Sequence, residues 1–123
     1  MKPILIVDDE KIVRESIRDW LREAGYPAEM AETGEEALDL ISKKDFSLVV
    51  LDYILPGKSG VDVLREARKM RPKMKCLMIT AFPSSKLNAE LARAGGAIEL
   101  FIKPINMEQL EKIIKEEMAV VEA

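Results

Sequence analysis

Histidine is absent from the chain, and cysteine occurs only once, at position 76. A chain without histidine has no histidine-ligated metal site, no Ser-His triad and no phosphohistidine of its own. A single cysteine has no partner for an internal disulfide bond. Because Cys76 begins the apolar stretch 76–79, we expect it to be a buried small hydrophobic residue.

Long apolar runs and excess positive charge are lacking as well. No apolar run approaches the roughly 20 residues of a membrane-spanning helix, and residues 4–7 lead directly into two aspartates rather than a signal-peptide cleavage site. The net charge of -3 argues against a nucleic-acid-binding surface. We therefore expect a cytoplasmic domain that contacts neither a membrane nor nucleic acid directly.

Two sequence patterns alternate along the 123 residues. Short apolar segments typical of buried strands occupy residues 4–7, 48–51, 76–79 and 98–102, with a weaker candidate at 29–31. Five amphipathic helical patterns follow them in turn. The first is expected over residues 11–24, with a buried face formed by Val13, Ile17, Leu21 and Ala24. The single tryptophan, Trp20, is expected to pack on the flank of this helix.

Capping signals mark the helix ends. The helices are bounded by Gly25 after the first, Thr33 with Glu36 before the second, Pro72 after the third, Ser84 or Ser85 before the fourth, and Asn106 with Gln109 before the fifth. The second is expected to end near residue 42. The charged residues between 65 and 71 are expected to form a solvated helix face.

Five strands alternating with five helices predict a parallel sheet with helices on both faces. Right-handed crossovers leave few topologies for such a sheet. We expect a single α/β domain over residues 1–123. Its five strands should form a doubly wound, flavodoxin-like sheet in the order 2-1-3-4-5.

The predicted topology brings polar residues from four strand ends together. In this strand order the winding reverses between the first and third strands, and ligands bind there, outside the carboxyl ends of the strands. The first strand leads into Asp8 and Asp9, the third into Asp52, the fourth into Thr80 and the fifth into Lys103. Three carboxylates, a hydroxyl and an ammonium group should therefore meet at one edge.

This group of side chains suits phosphoryl chemistry. Clustered carboxylates repel one another unless a cation neutralises them, and Mg²⁺ suits a site with few protein carboxylates. A carboxylate can itself attack phosphorus and form an aspartyl phosphate. Each residue also has a structural interpretation: a helix cap for Asp8 and Asp9, a turn for Asp52, a strand position for Thr80, and a strand exit for Lys103. Their joint occurrence at one edge favours a shared ligand.

The sequence resembles the receiver domain of response regulators over essentially its whole length. The matching stretches are residues 4–10, Leu51-Asp52 with Leu55-Pro56 and Gly60, residues 78–81, and Lys103-Pro104. The resemblance implies a phosphorylated signalling domain of a two-component system rather than an enzyme. Its phosphodonor would be a sensor histidine kinase, and its output an unknown domain or downstream protein.

The resemblance also implies roles for individual residues. Asp52 would be the phosphoacceptor, and the metal shell for Mg²⁺ would contain Asp8, Asp9, Asp52 and the backbone carbonyl of Ile54. Thr80 would hydrogen-bond the phosphoryl group, and Lys103 would pair with it. The Lys103-Pro104 bond would be cis and would aim Lys103 into the site.

Three positions of the sequence differ from the usual pattern of the family. Ile54 and Phe82 stand where the family helps to admit the attacking water, and because both are apolar we expect a long-lived phosphorylated form. The position of the usual switch aromatic holds Leu100, and Phe101 points to the opposite face. We expect Phe101 to be buried and the signal to pass through residues 81–85 and the following helix.

The residues near the end of the sequence are partly apolar. Met118, Val120 and Val121 suggest an apolar continuation, such as a linker helix or the contact of a phosphorylation-dependent dimer. The chain would be a stand-alone receiver or part of a longer regulator.

Three alternative functions are a flavin- or nucleotide-binding domain, an aspartyl-nucleophile phosphatase and a degenerate receiver. The acidic segment 8–10 disfavours the first, because it would repel a phosphate.

Overall fold

The computed structural model describes the backbone of residues 1–122 and the side chains of residues 1–119. The strands are β1 (Ile4–Val7), β2 (Ala28–Ala31), β3 (Leu48–Asp52), β4 (Cys76–Thr80) and β5 (Glu99–Ile102). The helices are α1 (Lys11–Glu23), α2 (Gly34–Lys43), α3 (Gly60–Met70), α4 (Ser85–Arg93) and α5 (Met107–Glu122). None of the helices, as far as they are described, combines the length and apolar character needed to cross a membrane.

The strands form one parallel sheet in the order β2-β1-β3-β4-β5, which confirms the predicted topology. The three central strands are buried along their whole length, as expected for strands covered on both faces. Asp52 and Thr80 are the last residues of β3 and β4. The strand pairing therefore fixes their backbones before any loop begins.

Alternate strand residues face two separate hydrophobic layers. One layer packs under α2, α3 and α4, and it includes Cys76 and, at its margin, Leu100. The other packs under α1 and α5 and includes Phe101. Both Cys76 and Phe101 are buried, as predicted. Because each fully buried Leu or Ile contributes roughly 1.5–3 kcal/mol, the two layers hold the sheet rigid beneath its loops.

Local polar contacts set the helix starts. The Thr33 hydroxyl accepts a hydrogen bond from the Glu36 N–H at 3.1 Å, and Ser84, rather than Ser85, caps α4 by accepting from Leu87. The Glu36 carboxylate accepts from the Glu32 N–H instead of returning to Thr33, so only half of the predicted capping box forms. The Asn106 side chain accepts from the Gln109 N–H, as predicted.

Two predictions about helix faces are wrong. Ala24 is exposed, and Arg14 is buried together with Ile17 and Leu21 instead. Arg68 does not belong to a solvated face, because its guanidinium donates to the carbonyls of Met74, Ala94 and Gly96. A guanidinium has enough N–H donors to hydrogen-bond the carbonyls of two loops at once, here the loop after α3 and the loop after α4. Hydropathy alone does not reveal this role.

Trp20 and Met118 both take part in the packing of α5. Trp20 lies on the flank of α1, as predicted, and its indole N–H donates to Glu111 of α5 at 2.7 Å. Met118 is buried in the layer under α5, so it is not available for an external contact. The side chains of Val120 and Val121 lie outside the described residues.

Candidate functional site

The carboxyl ends of four strands meet at one edge of the sheet, as the sequence predicts. Val7 pairs with Leu51, Asp52 with Ile79, and Thr80 with Ile102, so the residues after β1, β3, β4 and β5 are neighbours. Asp8, Asp52 and Thr80 are buried there, although all three are polar. Buried polar groups are costly unless they have partners, which makes this edge the most unusual part of the structure.

Lys103 joins three carboxylates at this edge. Its Nζ lies 2.8 Å from Asp52 Oδ2, 2.9 Å from Glu10 Oε1 and 3.2 Å from Asp8 Oδ2. Burial acts to lower the pKa of Lys103, but the hydrogen bonds to Asp52 and Glu10 outweigh it and hold that pKa above its usual range. The ammonium group is therefore a fixed positive charge beside Asp52.

The carboxylate of Asp8 is buried, and one of its two oxygens lacks a hydrogen bond from the described part of the chain. It is 0% exposed, and its Oδ1 accepts a hydrogen bond from the Glu10 N–H at 2.8 Å. Its Oδ2 is near Lys103 but accepts no hydrogen bond of good geometry from the residues that the structure describes. Burial, assisted by repulsion from Asp52, raises the pKa of Asp8 to about 6. One buried carboxylate oxygen thus points into the site without a full partner.

The carboxylates have the geometry of a cation site. One oxygen each from Asp8, Glu10 and Asp52 lies within 4.8 Å of the others. Hard oxygen donors at this spacing fit Mg²⁺, which accepts few protein carboxylates and retains waters. Asp9, which we expected in the shell, is exposed and lies outside this group, whereas Glu10, which sequence reasoning missed, belongs to it.

The loop after β3 holds Asp52 in place. Asp52 Oδ1 accepts a hydrogen bond from the Ile54 N–H at 3.1 Å, and the Gly60 N–H donates to the Tyr53 carbonyl. A Cβ at Gly60 would collide with the Asp52 carbonyl, so the loop closes tightly only with glycine there. The Ile54 side chain is 55% exposed. Its carbonyl as a metal ligand stays a prediction.

Thr80 connects the site to the next loop. Its hydroxyl accepts a hydrogen bond from the Phe82 N–H at 3.1 Å, and its carbonyl accepts from the Lys103 N–H at 2.8 Å. The Lys103-Pro104 bond is cis, which confirms the prediction. Phe82 is 73% exposed at the rim of the site.

Arg14 is a second residue that sequence reasoning missed. The buried guanidinium donates to the Asp8 carbonyl at 2.9 Å and pairs with Glu32 at 3.7 Å. It therefore fixes the backbone that carries Asp8. Its position at the fourth residue of α1 gave a weak signal, because an arginine there would also suit a solvated helix.

Residues 4–115 match the response regulator receiver domain family. The chain belongs to this family. Receiver domains act in two-component signalling and bind Mg²⁺ at an acidic pocket, and this chain has an acidic group, Asp8, Glu10 and Asp52, at the sheet edge. Membership favours the receiver interpretation over the flavin-binding and phosphatase alternatives.

Curated relatives extend well beyond the receiver domain. The response regulator MprA of Mycolicibacterium vanbaalenii is 39% identical over 107 residues, which cover 87% of this chain and 46% of that protein. A cyclic di-GMP phosphodiesterase of Thermotoga maritima is 34% identical over 107 residues, which cover 87% of this chain and 28% of that protein. The chain thus spans less than half the length of these relatives.

Solved structures show the same receiver fold. A CheY-like receiver domain protein of Methanospirillum hungatei has a TM-score of 0.93 and 36% identity, covering 99% of this chain and 97% of that one. The response regulator TrrA of Thermotoga maritima, in complex with Mg²⁺-BeF, has a TM-score of 0.82 and 38% identity, covering 95% and 99%. The flavodoxin-like order is therefore confirmed.

Proposed function

We propose that this receiver domain accepts a phosphoryl group on Asp52 from the phosphohistidine of a sensor histidine kinase, with Mg²⁺ bound. The observation that carries the proposal is the contact of Lys103 with Asp52 at 2.8 Å, at the centre of the carboxylate group. A nucleophilic carboxylate beside a fixed cation, with further acidic residues able to hold a metal, is suited to phosphoryl transfer.

Each residue has a role in this proposal. Asp8, Asp52 and the Ile54 carbonyl would hold the metal, and Glu10 adds a carboxylate that the sequence did not suggest. Asp9 faces solvent in the structure and would have to turn toward the ion to join them. Bound Mg²⁺ would supply positive charge to the oxygens of the transferring group. Lys103 would add its own positive charge beside Asp52. The unfilled Oδ2 of Asp8 is the structural support for a cation there.

The transfer step balances when water supplies the proton that the leaving imidazole takes. An Asp52 carboxylate oxygen forms the new bond to phosphorus while the bond between phosphorus and the histidine nitrogen breaks. The electron pair of that bond stays on the imidazole, which takes a proton and leaves neutral. Because Asp52 Oδ1 is already held by the Ile54 N–H and Oδ2 by Lys103, the carboxylate is oriented before the donor arrives.

A groove beside the site suits the approach of a donor protein. It has a volume of about 490 Å³ and opens next to Glu10 and Lys103. Its apolar lining is provided by Ile12, Val13, Ile17, Ile105 and Met107. Ile12 is 82% exposed at the first turn of α1. Since large exposed apolar side chains mark interaction surfaces, we place the phosphohistidine-bearing partner on this groove.

The output would pass through the 81–85 loop and α4. Thr80 is bonded to the Phe82 N–H, so a hydroxyl drawn toward a phosphoryl group would pull on this loop. Tyr53, next to Asp52, reaches Glu90 of α4 at 3.4 Å and gives a second connection. The surface around α4 and α5 would then be read by an output domain, a downstream protein or a second receiver.

Phosphorylation by acetyl phosphate tests the proposal. We expect intact-mass measurement to show one added phosphoryl group when Mg²⁺ is present and none after chelation. Asp52→Asn should remain unmodified under the same conditions, because the amide is not a nucleophile. Equal modification of that variant would refute the assignment of Asp52.

A further inference from the structure

We propose that Glu10 controls the charge of the acceptor site and makes the receiver select against highly charged phosphodonors. The inference rests on the proposed function, since it concerns how the donor reaches Asp52. Glu10 is the carboxylate of the group that faces solvent: its side chain is 61% exposed, compared with 5% for Asp52 and 0% for Asp8. A donor entering the site must pass this charge.

Glu10 is also hydrogen-bonded to Lys103 before the donor arrives. Its Oε1 accepts a hydrogen bond from Lys103 Nζ at 2.9 Å, nearly as short as the bond to Asp52. An ammonium group has three donors: Glu10 and Asp52 each accept a hydrogen bond, and the Asp8 carboxylate lies 3.2 Å away as an ion pair. An incoming phosphoryl oxygen therefore competes with Glu10 for Lys103. Asp8 and Asp52 cannot yield in the same way, because they are buried.

The same carboxylate should have opposite effects on a cation and on an anion. One Glu10 oxygen lies within 4.8 Å of an oxygen of Asp8 and one of Asp52, so it attracts any cation that these groups hold. It repels an anionic phosphoryl donor, and the repulsion energy for each unit of negative charge equals the attraction energy for each unit of positive charge. At about 4 Å in a water-like surrounding, one unit charge changes the affinity for another roughly fivefold.

Glu10→Gln separates these effects, because it keeps the size of the side chain and removes the charge. We expect the affinity of the unphosphorylated protein for Mg²⁺, measured by calorimetric titration, to fall about five- to thirtyfold, because the ion carries two charges. At saturating Mg²⁺ we expect the affinity for trifluoroberyllate, a phosphoryl mimic with one negative charge, to rise about three- to tenfold. A change that merely loosened the fold would weaken both.

Donor selectivity supplies the second measurement. In each reaction the bond between phosphorus and the leaving group breaks as the bond to Asp52 forms, releasing acetate from acetyl phosphate and ammonia from phosphoramidate. Acetyl phosphate is a dianion at neutral pH and phosphoramidate carries a smaller net charge. Glu10→Gln should therefore raise the phosphorylation rate more with acetyl phosphate than with phosphoramidate.

Glu35→Gln is the matched control. Glu35 is an exposed carboxylate in the first turn of α2, close to the Gly57 turn of the loop that follows Asp52. If it reproduces the changes of Glu10→Gln, a general charge effect overturns the inference. Unchanged Mg²⁺ affinity and unchanged donor ratio in Glu10→Gln would also overturn it. If the wild-type protein accepts no phosphoryl group from either donor, the proposed function itself fails.

Discussion

The buried charge of Asp8 makes a quantitative prediction about stability in the absence of metal. Burial and Asp52 raise the pKa of Asp8 from 3.8 to about 6, even though the Glu10 N–H and Lys103 oppose the shift. In the folded protein the ionised form is thus disfavoured by about two pKa units, or roughly 3 kcal/mol at 1.4 kcal/mol per unit. Asp8→Asn removes this charge and preserves the shape of the side chain.

The sign of the pH dependence follows from proton linkage. Between about pH 4 and pH 6 the folded protein keeps a proton on Asp8 that the unfolded chain has lost. Asp8 therefore lowers stability as the pH rises through this window, and above it the full cost is present. The variant should gain little near pH 4 and about 1–3 kcal/mol in unfolding free energy at neutral pH.

Urea denaturation in the presence of a chelator measures this difference. We compare Asp8→Asn with the wild-type protein from acidic to neutral pH, and Asp9→Asn is the control because Asp9 is exposed. The control should change stability by no more than about 0.5 kcal/mol. Adding Mg²⁺ should stabilise the wild-type protein more than Asp8→Asn. An Asp8→Asn variant that is less stable than the wild type at neutral pH would refute the reasoning.

Three further predictions concern the acyl phosphate, the thiol and the output path. Replacing Ile54 with Asn and Phe82 with Glu together should speed hydrolysis of the phosphorylated form at least about tenfold, because polar groups can then orient water. Burial raises the pKa of Cys76 to about 12, so this thiol should resist alkylation at neutral pH until the protein is unfolded in urea. Trifluoroberyllate should change hydrogen exchange in the 81–85 loop and α4, and Thr80→Ala should abolish that change.

Each of these three predictions would be contradicted by a specific result. An unchanged lifetime in the double variant would show that the two apolar side chains do not exclude water. Rapid alkylation of the native protein would mean that the sheet opens far more readily than its buried strands indicate. Exchange changes confined to α5 would place the output path elsewhere.

Most of the fold could be predicted because strand and helix periods differ sharply here. The central strands are continuously apolar, and Gly25, Thr33 and Asn106 mark helix boundaries by local hydrogen bonding or backbone freedom. Four strand bounds differ from the prediction by one residue: β2 begins at Ala28, β5 begins at Glu99, β3 ends at Asp52 and β4 ends at Thr80. Partial exposure weakens the apolar pattern in the two edge strands, and β3 and β4 end on polar residues.

Long polar side chains account for what the sequence could not show. Arg14 and Arg68 are charged, yet their guanidinium groups are held by backbone carbonyls, that of Asp8 for Arg14 and that of Ala94 for Arg68. Glu10 joins Asp8 and Asp52, whereas Asp9 points to solvent, and adjacent acidic residues look alike in a sequence. Side-chain direction in such loops depends on tertiary partners, here Lys103 above all.

Chemical trapping of the modified residue tests the central claim most directly. Borohydride reduces an acyl phosphate to an alcohol, so the protein treated with acetyl phosphate and Mg²⁺ can be reduced, digested and mapped by mass spectrometry. We predict homoserine at position 52 and an unmodified Asp8, because Asp52 is bonded to both Lys103 and the Ile54 N–H. Reduction at Asp8, Asp9 or Glu10, with position 52 intact, would contradict the account.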